Sequence, residues 1–265
     1  MKQVFLLGSS IAYSLSPAIH NAALRAMGLD WHYALRDLPV EALPEAAAYL
    51  RAEDCIGANV TIPHKEAIIN CLDELGESAR NVHAVNTIVK RNGRLIGENT
   101  DIVGFLQALR DVPFDPRGAH ALILGAGGAA RGVAFALGQA GAHRMTILNR
   151  TPSRAQALAD DVVHHFPDLA IALNQTCDAD LVVNTLPPSV PFDINTVKLA
   201  RQAVVFDLTY RPAETNFMRQ ADAIGVQAVN GLGMLVYQAA ASLELWTSRQ
   251  APVKAMFKAA RQALE

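Results

Sequence analysis

The sequence predicts an α/β protein, and three observations support this fold class. Short runs of β-branched residues alternate with longer stretches rich in alanine and leucine, which is typical of parallel sheets covered by helices. The chain has 265 residues, of which 51% are hydrophobic, so it can bury a large core without disulfides or metals. The pattern of predicted strands and helices changes beside the helix after Asp101. This change places one domain over residues 1–103 and a second over 104–234.

The first domain is expected to begin with a strand over residues 4–7. Ser16 and Pro17 then predict a helix, with serine as the N-cap and proline at the first helical position. A strand over residues 57–62 leads to another helix that starts at Pro63. Residues 84–97 predict a hairpin, because Asn92-Gly93 favours a two-residue turn.

The second domain repeats a strand–helix unit. Its strands are predicted over residues 120–124, 145–149, 181–184 and 203–207. A glycine-rich turn and a helix are expected over residues 125–141, and another helix over residues 153–166. This order predicts a doubly wound parallel sheet of the Rossmann type. A long helix over residues 234–247 and a tail helix follow it.

Composition excludes several classes of function. The 23 basic and 25 acidic residues nearly balance, so neither nucleic acid nor a membrane surface is the expected partner. Three cysteines without CxxC spacing predict reduced thiols and a cytoplasmic protein. The apolar run at the start is too short for a signal peptide. We expect no metal site, because the adjacent His164 and His165 lack a third ligand.

Residues 125–130 (GAGGAA) fit the G-x-G-x-x-G/A pattern between a predicted strand and helix. In this context the glycines let backbone N–H groups approach a pyrophosphate at the helix N-terminus. The alternative to a dinucleotide site is that these glycines serve only close packing. The residues predicted to bind a dinucleotide here are Gly125, Ala126, Gly127, Gly128 and Ala129.

The end of the second strand indicates which dinucleotide binds. An NAD site usually has an acidic residue there, whereas this chain has Asn149, Arg150, Thr151 and, further on, Arg154. Two guanidinium groups without a carboxylate favour a 2′-phosphate, so we expect NADP. The alternative is a pair of solvated surface arginines.

An alcohol–ketone interconversion needs a group that takes and returns the hydroxyl proton. Lys65 is a candidate, because the predicted helix start at Pro63 would place its cation in an unfavourable first turn. Asp101 is the second candidate, although it could simply cap the next helix. An exposed lysine beside Glu66 is the equally simple alternative for Lys65.

The ordered set of motifs resembles the shikimate dehydrogenase family over essentially the whole chain. The motifs are residues 14–21 (SLSPAIHN), 59–65 (NVTIPHK), 84–87 (AVNT), 99–104 (NTDIVG), 125–131 (GAGGAAR), 149–151 (NRT) and 231–238 (GLGMLVYQ). The resemblance implies NADP-dependent interconversion of 3-dehydroshikimate and shikimate, on the route to chorismate and the aromatic amino acids. It also implies that helices over about 235–265 rejoin the first, substrate-binding domain. A homodimer is left open.

The resemblance also implies residue roles. Lys65 and Asp101 would form the catalytic pair, while Gly231 and Met234 would border the nicotinamide. The residues it implies for the substrate carboxylate and hydroxyls are Ser14, Ser16, Asn59, Thr61, Asn86, Tyr210 and Gln238. Two departures stand out: His83 replaces a usual glycine, and residues 184–189 (NTLPPS) replace a small, glycine-containing loop beside the cofactor.

Three alternatives stay open. A quinate/shikimate enzyme that uses NAD is disfavoured by the paired Ser14 and Ser16 and by Arg150. Methylenetetrahydrofolate dehydrogenase should lack the paired serines and the 99–101 (NTD) element. A non-catalytic NADP-binding sensor is supported by the altered loop at residues 184–189 and disfavoured by the retained Lys65 and Asp101.

Overall fold

The computed structural model describes residues 1–175 and 177–265. Its strands are β1 (Lys2–Gly8), β2 (Trp31–Asp37), β3 (Cys55–Val60), β4 (Glu74–Leu75), β5 (Thr87–Arg91), β6 (Arg94–Glu98), β7 (His120–Leu124), β8 (Arg144–Leu148), β9 (Ala170–Leu173), β10 (Asp178–Asn184), β11 (Lys198–Asp207) and β12 (Gln227–Asn230). Its α-helices are α1 (Ser16–Ala26), α2 (Leu43–Tyr49), α3 (Glu77–Val82), α4 (Asp101–Arg110), α5 (Gly128–Gln139), α6 (Pro152–His165), α7 (Asn216–Ala223), α8 (Leu232–Thr247) and α9 (Val253–Gln262). The predicted α/β class is confirmed.

The chain divides into two compact units. One comprises Met1–Gly104 together with Leu235–Glu265, and the other comprises Phe105–Met234. Most of α8 and all of α9 therefore belong to the first unit, where α9 packs on α1. Among residues 1–175 and 177–265, no helix combines the length and apolar character that a membrane crossing requires.

The first unit contains a mixed six-stranded sheet in the order β2-β1-β3-β5-β6-β4. Its first three strands are parallel, whereas β5 runs antiparallel to both β3 and β6. The predicted hairpin joins β5 and β6, and Asn92 and Gly93 both have the positive φ that its tight turn requires. The core on one face includes Phe5, Leu50 and Ile68.

The second unit contains a parallel six-stranded sheet in the order β12-β11-β10-β7-β8-β9. Counted within the unit, this is the 3-2-1-4-5-6 order of a doubly wound dinucleotide fold, read from β9 to β12. The chain reverses its winding between β7 and β10. The loops that follow these two strands are therefore neighbours at the carboxyl edge, where such folds bind ligands.

Two local predictions are wrong. No α-helix starts at Pro63: residues 62–66 form turns, and a five-residue 3-10 helix, Ala67–Cys71, follows them. The helix α1 begins at Ser16 itself, with Leu15 at the N-cap position. The Ser16 side chain is thus free of the predicted capping role and can contribute to a polar site.

Candidate active site

Lys65 and Asp101 lie together in the first unit. Lys65 Nζ is 2.5 Å from Asp101 Oδ2, and the two side chains are 15% and 5% exposed. Because Lys65 is in a turn, the helix-dipole argument for it fails, and its ion pair with Asp101 is what distinguishes it. A lysine and a carboxylate in direct contact can exchange a proton with a substrate oxygen. The described hydrogen bonds of the Asp101 carboxylate go to Lys65 and Asn86.

The backbone on either side of the pair is fixed. The carbonyl of Lys65 accepts a 2.8 Å hydrogen bond from Val85 N, and the buried His64 contacts the carbonyl of Leu38 through Nε2 at 2.8 Å. The side chain of Asn99 accepts from the Asp101 backbone amide at 3.0 Å. The turn that carries Lys65 and the start of α4 therefore hold the pair from both sides.

Asn86 orients the carboxylate. Its Nδ2 donates to Asp101 Oδ1 at 2.9 Å and lies 3.4 Å from Gln238 Oε1. Its Oδ1 accepts from the Thr100 amide at 2.8 Å and from the Thr87 hydroxyl at 3.0 Å. With Oδ1 of Asp101 held by Asn86, the other carboxylate oxygen faces Lys65.

Asn59 forms a second buried layer behind Asn86. Its Nδ2 donates to the carbonyl of Asn86 at 3.0 Å, and its Oδ1 accepts from the Tyr33 hydroxyl at 2.9 Å. Burial raises the pKa of the Tyr33 phenol well above its usual value, so the phenol stays protonated and donates. The ring of His20 stacks on Tyr33 with centroids 4.2 Å apart. Tyr33 and His20 were not predicted as site residues.

The remaining substrate candidates are dispersed along the chain. Ser14 Oγ lies 3.2 Å from Ser16 Oγ, so the two hydroxyls are adjacent in the first unit. Thr61 follows β3 directly, and its amide donates to the carbonyl of Leu7. Tyr210, by contrast, lies in the second unit, three residues after the end of β11.

The glycine turn connects β7 to α5. Gly125 has φ +111°, and a Cβ placed there would lie 2.5 Å from the Thr185 hydroxyl. That hydroxyl donates to the carbonyl of Leu124 at 2.7 Å, which fixes the divergent loop after β10 against the turn. Gly127 differs, because a Cβ there would meet no atom of the described residues within 4 Å. Open space in front of an α-helix N-terminus suits the close approach of a pyrophosphate.

The residues after β8 have the character expected for a 2′-phosphate site. Asn149 Nδ2 donates to the carbonyl of Thr151 at 2.9 Å, and Thr151 is the N-cap of α6. Arg150 and Arg154 are exposed, and within residues 1–175 and 177–265 neither has an ion-pair partner. Two uncompensated guanidinium groups are available to an anion.

Gly231 and Met234 stand at the junction between β12 and α8. A Cβ on Gly231 would lie 2.0 Å from the carbonyl oxygen of Leu208, so this position requires glycine for packing alone. Met234 is buried in the first turn of α8. His83, the other departure, is exposed and has a left-handed backbone conformation with φ 52°, which glycine adopts without strain.

These features define a class of protein: a two-unit α/β enzyme that combines a dinucleotide-binding fold with a partly buried lysine–carboxylate pair. Comparisons with known proteins specify the family. Residues 6–88 match the shikimate dehydrogenase substrate binding domain, residues 108–208 match shikimate / quinate 5-dehydrogenase, and residues 231–261 match the shikimate 5'-dehydrogenase C-terminal domain. The chain belongs to the shikimate dehydrogenase family, as its motifs predicted.

Individual relatives agree over nearly the full length. Shikimate dehydrogenase (NADP(+)) of Symbiobacterium thermophilum is 44% identical over 98% of this chain and 94% of its own. A crystal structure of a shikimate dehydrogenase with NADP+ has a TM-score of 0.91 at 34% identity, covering 100% of this chain and 96% of that one. The Thermus thermophilus enzyme with NADP(H) and shikimate has a TM-score of 0.88 at 39% identity, covering 100% of both chains.

Proposed function

We propose that this protein is an NADP-dependent shikimate dehydrogenase that reversibly reduces 3-dehydroshikimate to shikimate. The observation that carries the proposal is the contact between Lys65 and Asp101, held in place by Asn86. The family to which the chain belongs supports the choice of substrate and cofactor. We further propose a cytoplasmic location, which rests on the reduced-thiol composition and the biosynthetic activity.

The second unit fits NADP. Gly127 leaves space in front of α5 for the pyrophosphate, and Arg150 with Arg154 would hold the 2′-phosphate through charge-assisted hydrogen bonds. Gly231 and Met234 would border the nicotinamide. When bound, NADPH supplies the hydride that reduces the substrate ketone. The other residues assigned to the cofactor are Gly125, Ala126, Gly128, Ala129, Asn149 and Thr151.

The first unit would bind and protonate the substrate. The adjacent hydroxyls of Ser14 and Ser16 would donate to the carboxylate, and Asn86 and Gln238 would meet ring hydroxyls. The Lys65–Asp101 pair would deliver a proton to the ketone oxygen during reduction and take it back during oxidation. Thr61 completes the substrate set proposed for this unit, and Asn59 supports it from the buried layer behind Asn86. Tyr210, which the family resemblance also implies, belongs to the second unit.

The test is turnover of purified protein, followed by reduced-nicotinamide absorbance. Shikimate and quinate are each combined with NADP+ and with NAD+, which gives four reactions. The proposal predicts fast turnover of shikimate with NADP+ and slow turnover in the other three. Faster reaction of quinate with NAD+ would favour the quinate enzyme instead. Binding of NADP without turnover in any reaction would leave the sensor hypothesis.

A further inference from the structure

Ser242 occupies the centre of the buried polar network in the first unit. It lies on α8 and has no exposed surface. Its hydroxyl is 2.7 Å from Thr87 Oγ1, 3.1 Å from Thr100 Oγ1 and 2.9 Å from Asn59 Nδ2. It also lies 3.0 Å from the carbonyl of Gln238, one turn earlier in the helix. A hydroxyl has one donor and two acceptor sites, so these four contacts exceed its capacity: it accepts from Asn59, and its single proton is shared among Thr87, Thr100 and the Gln238 carbonyl.

Three successive contacts connect Ser242 to Asp101, through a threonine hydroxyl and the Asn86 amide. Thr87 Oγ1 and Thr100 Oγ1 each lie within 3.1 Å of Asn86 Oδ1 and donate to it. Asn86 Nδ2 then donates to Asp101 Oδ1. These hydroxyls act together with the Thr100 backbone amide, which donates to the same Asn86 oxygen at 2.8 Å, to keep Nδ2 facing the carboxylate. A flipped amide would present an oxygen to Asp101.

We propose that Ser242 is a positioning residue for the Lys65–Asp101 pair, acting through Thr87, Thr100 and Asn86. This inference rests on the proposed function, because it assigns that pair the proton transfer. It gives the C-terminal helix a part in catalysis beyond packing, since α8 supplies a group that joins β3, β5 and the segment before α4. Removal of the hydroxyl takes one partner from each of the two threonine hydroxyls, so both can move relative to Asn86.

The test compares Ser242→Ala with Thr247→Val. The two residues lie on the same helix, and each hydroxyl lies within hydrogen-bond distance of the carbonyl four residues earlier, at 3.0 Å for Ser242 and 2.7 Å for Thr247. The contacts of the Thr247 hydroxyl are to backbone groups and not to the network. We expect Ser242→Ala to lower kcat about ten- to a hundredfold with KM for NADP+ unchanged, as for a misplaced catalytic group. Thr247→Val should retain wild-type kcat.

A mutant cycle separates positioning from general destabilisation. If Ser242 acts through Asn86, the double variant Ser242→Ala/Asn86→Ala should be no slower than Asn86→Ala alone. Multiplicative loss in the double variant would overturn the proposal. A crystal structure of Ser242→Ala tests it independently of any substrate: an unchanged contact between Lys65 and Asp101 with Asn86 in place would refute positioning. Wild-type protein that fails to oxidise shikimate would contradict the proposed function and leave this structural test intact.

Discussion

The two units hold their functional groups in different ways. In the first unit, Asn86 and Asp101 are almost fully buried, and protein groups satisfy them. In the second unit, the proposed cofactor groups are an open backbone turn at Gly127 and the exposed side chains of Arg150 and Arg154. Folding thus fixes the catalytic geometry in advance, whereas cofactor affinity depends on space and on surface charge. Changes in the first unit should therefore alter kcat, and changes in the second should alter cofactor binding.

The largest effect is expected from Lys65→Ala. Loss of the ammonium removes one member of the proton-transfer pair, so kcat should fall by about 10³-fold. The affinity for NADPH, measured by fluorescence titration, should stay near wild type. Lys254→Ala, which removes an exposed lysine on α9, is the control and should have wild-type kcat. A Lys65→Ala protein with nearly normal turnover would refute the assigned role.

The double variant Arg150→Ala/Arg154→Ala should change cofactor preference. Each lost charge-assisted hydrogen bond costs about 1.5 kcal/mol, so Kd for NADP+ should rise by about 100-fold. Kd for NAD+, which lacks the 2′-phosphate, should hardly change. Arg144→Ala provides a matched control, since Arg144 is an exposed arginine at the opposite end of β8. Equal losses for both cofactors would show that the arginines do not recognise the phosphate.

His20 should make the first unit acid-sensitive. Burial lowers the pKa of His20 to about 3, partly opposed by the nearby Asn59 side chain. The unfolded chain, with an ordinary histidine pKa of about 6.5, therefore binds more protons between these values, and stability falls as the pH decreases through that range. From pH 7 to pH 5 this one group should remove about 2 kcal/mol of unfolding free energy.

His20→Phe tests that expectation, because phenylalanine can stack on Tyr33 without titrating. Urea unfolding at pH 7 and pH 5 should show a smaller pH-dependent loss in this variant than in wild type. His32→Phe, at an exposed position of β2, should keep the wild-type dependence. The comparison uses differences between two pH values, so a uniform packing penalty in either variant cancels. The same dependence in all three proteins would contradict the assignment to His20.

Much of the fold was predictable because its signals are local. The doubly wound sheet follows from strand–helix alternation, and the turn at Asn92-Gly93 follows from the positive φ that these residues tolerate. A helix was expected after Asp101, and α4 begins at Asp101 itself. The helix expected at Pro63 was wrong, because the chain forms turns there and the Lys65 carbonyl bonds to Val85, 20 residues further along. Proline at a helix start is a local signal that a tertiary contact can override.

The candidate site was predictable only in part. Lys65 and Asp101 are in motifs, so their pairing could be expected, but Ser242 has no local signal that distinguishes it from any helical serine. Its partners Thr87 and Asn59 are 155 and 183 residues away in sequence. Similarly, nothing near Tyr33 indicates that its hydroxyl reaches Asn59. Contacts between side chains this distant in sequence depend on how the whole unit packs. They cannot be predicted from composition or from the periodicity of hydrophobic residues.

The sharpest test of the comparison lies within one turn, where Gly125 and Gly127 have opposite surroundings. A Cβ at Gly125 would clash with Thr185, and the φ of +111° at this position is unfavourable for alanine. Gly125→Ala should therefore lose about 1–3 kcal/mol of stability. Gly127 has φ −95°, which alanine adopts freely, and a Cβ there has no neighbour among the described residues within 4 Å. Gly127→Ala should therefore fold with a loss of at most about 1 kcal/mol from the helix cap.

Gly127→Ala should nevertheless bind NADP+ about tenfold more weakly, since its methyl group would stand where the pyrophosphate must approach the backbone. Because the pyrophosphate is common to both cofactors, Kd for NAD+ should rise by the same factor, unlike in the arginine variant. Cofactor titration alongside thermal unfolding measures both quantities on one sample. Wild-type affinity in Gly127→Ala would mean that the open space in front of α5 is not the pyrophosphate site. The first unit would still hold a preformed catalytic network, but the second unit could no longer be described as an open cofactor site.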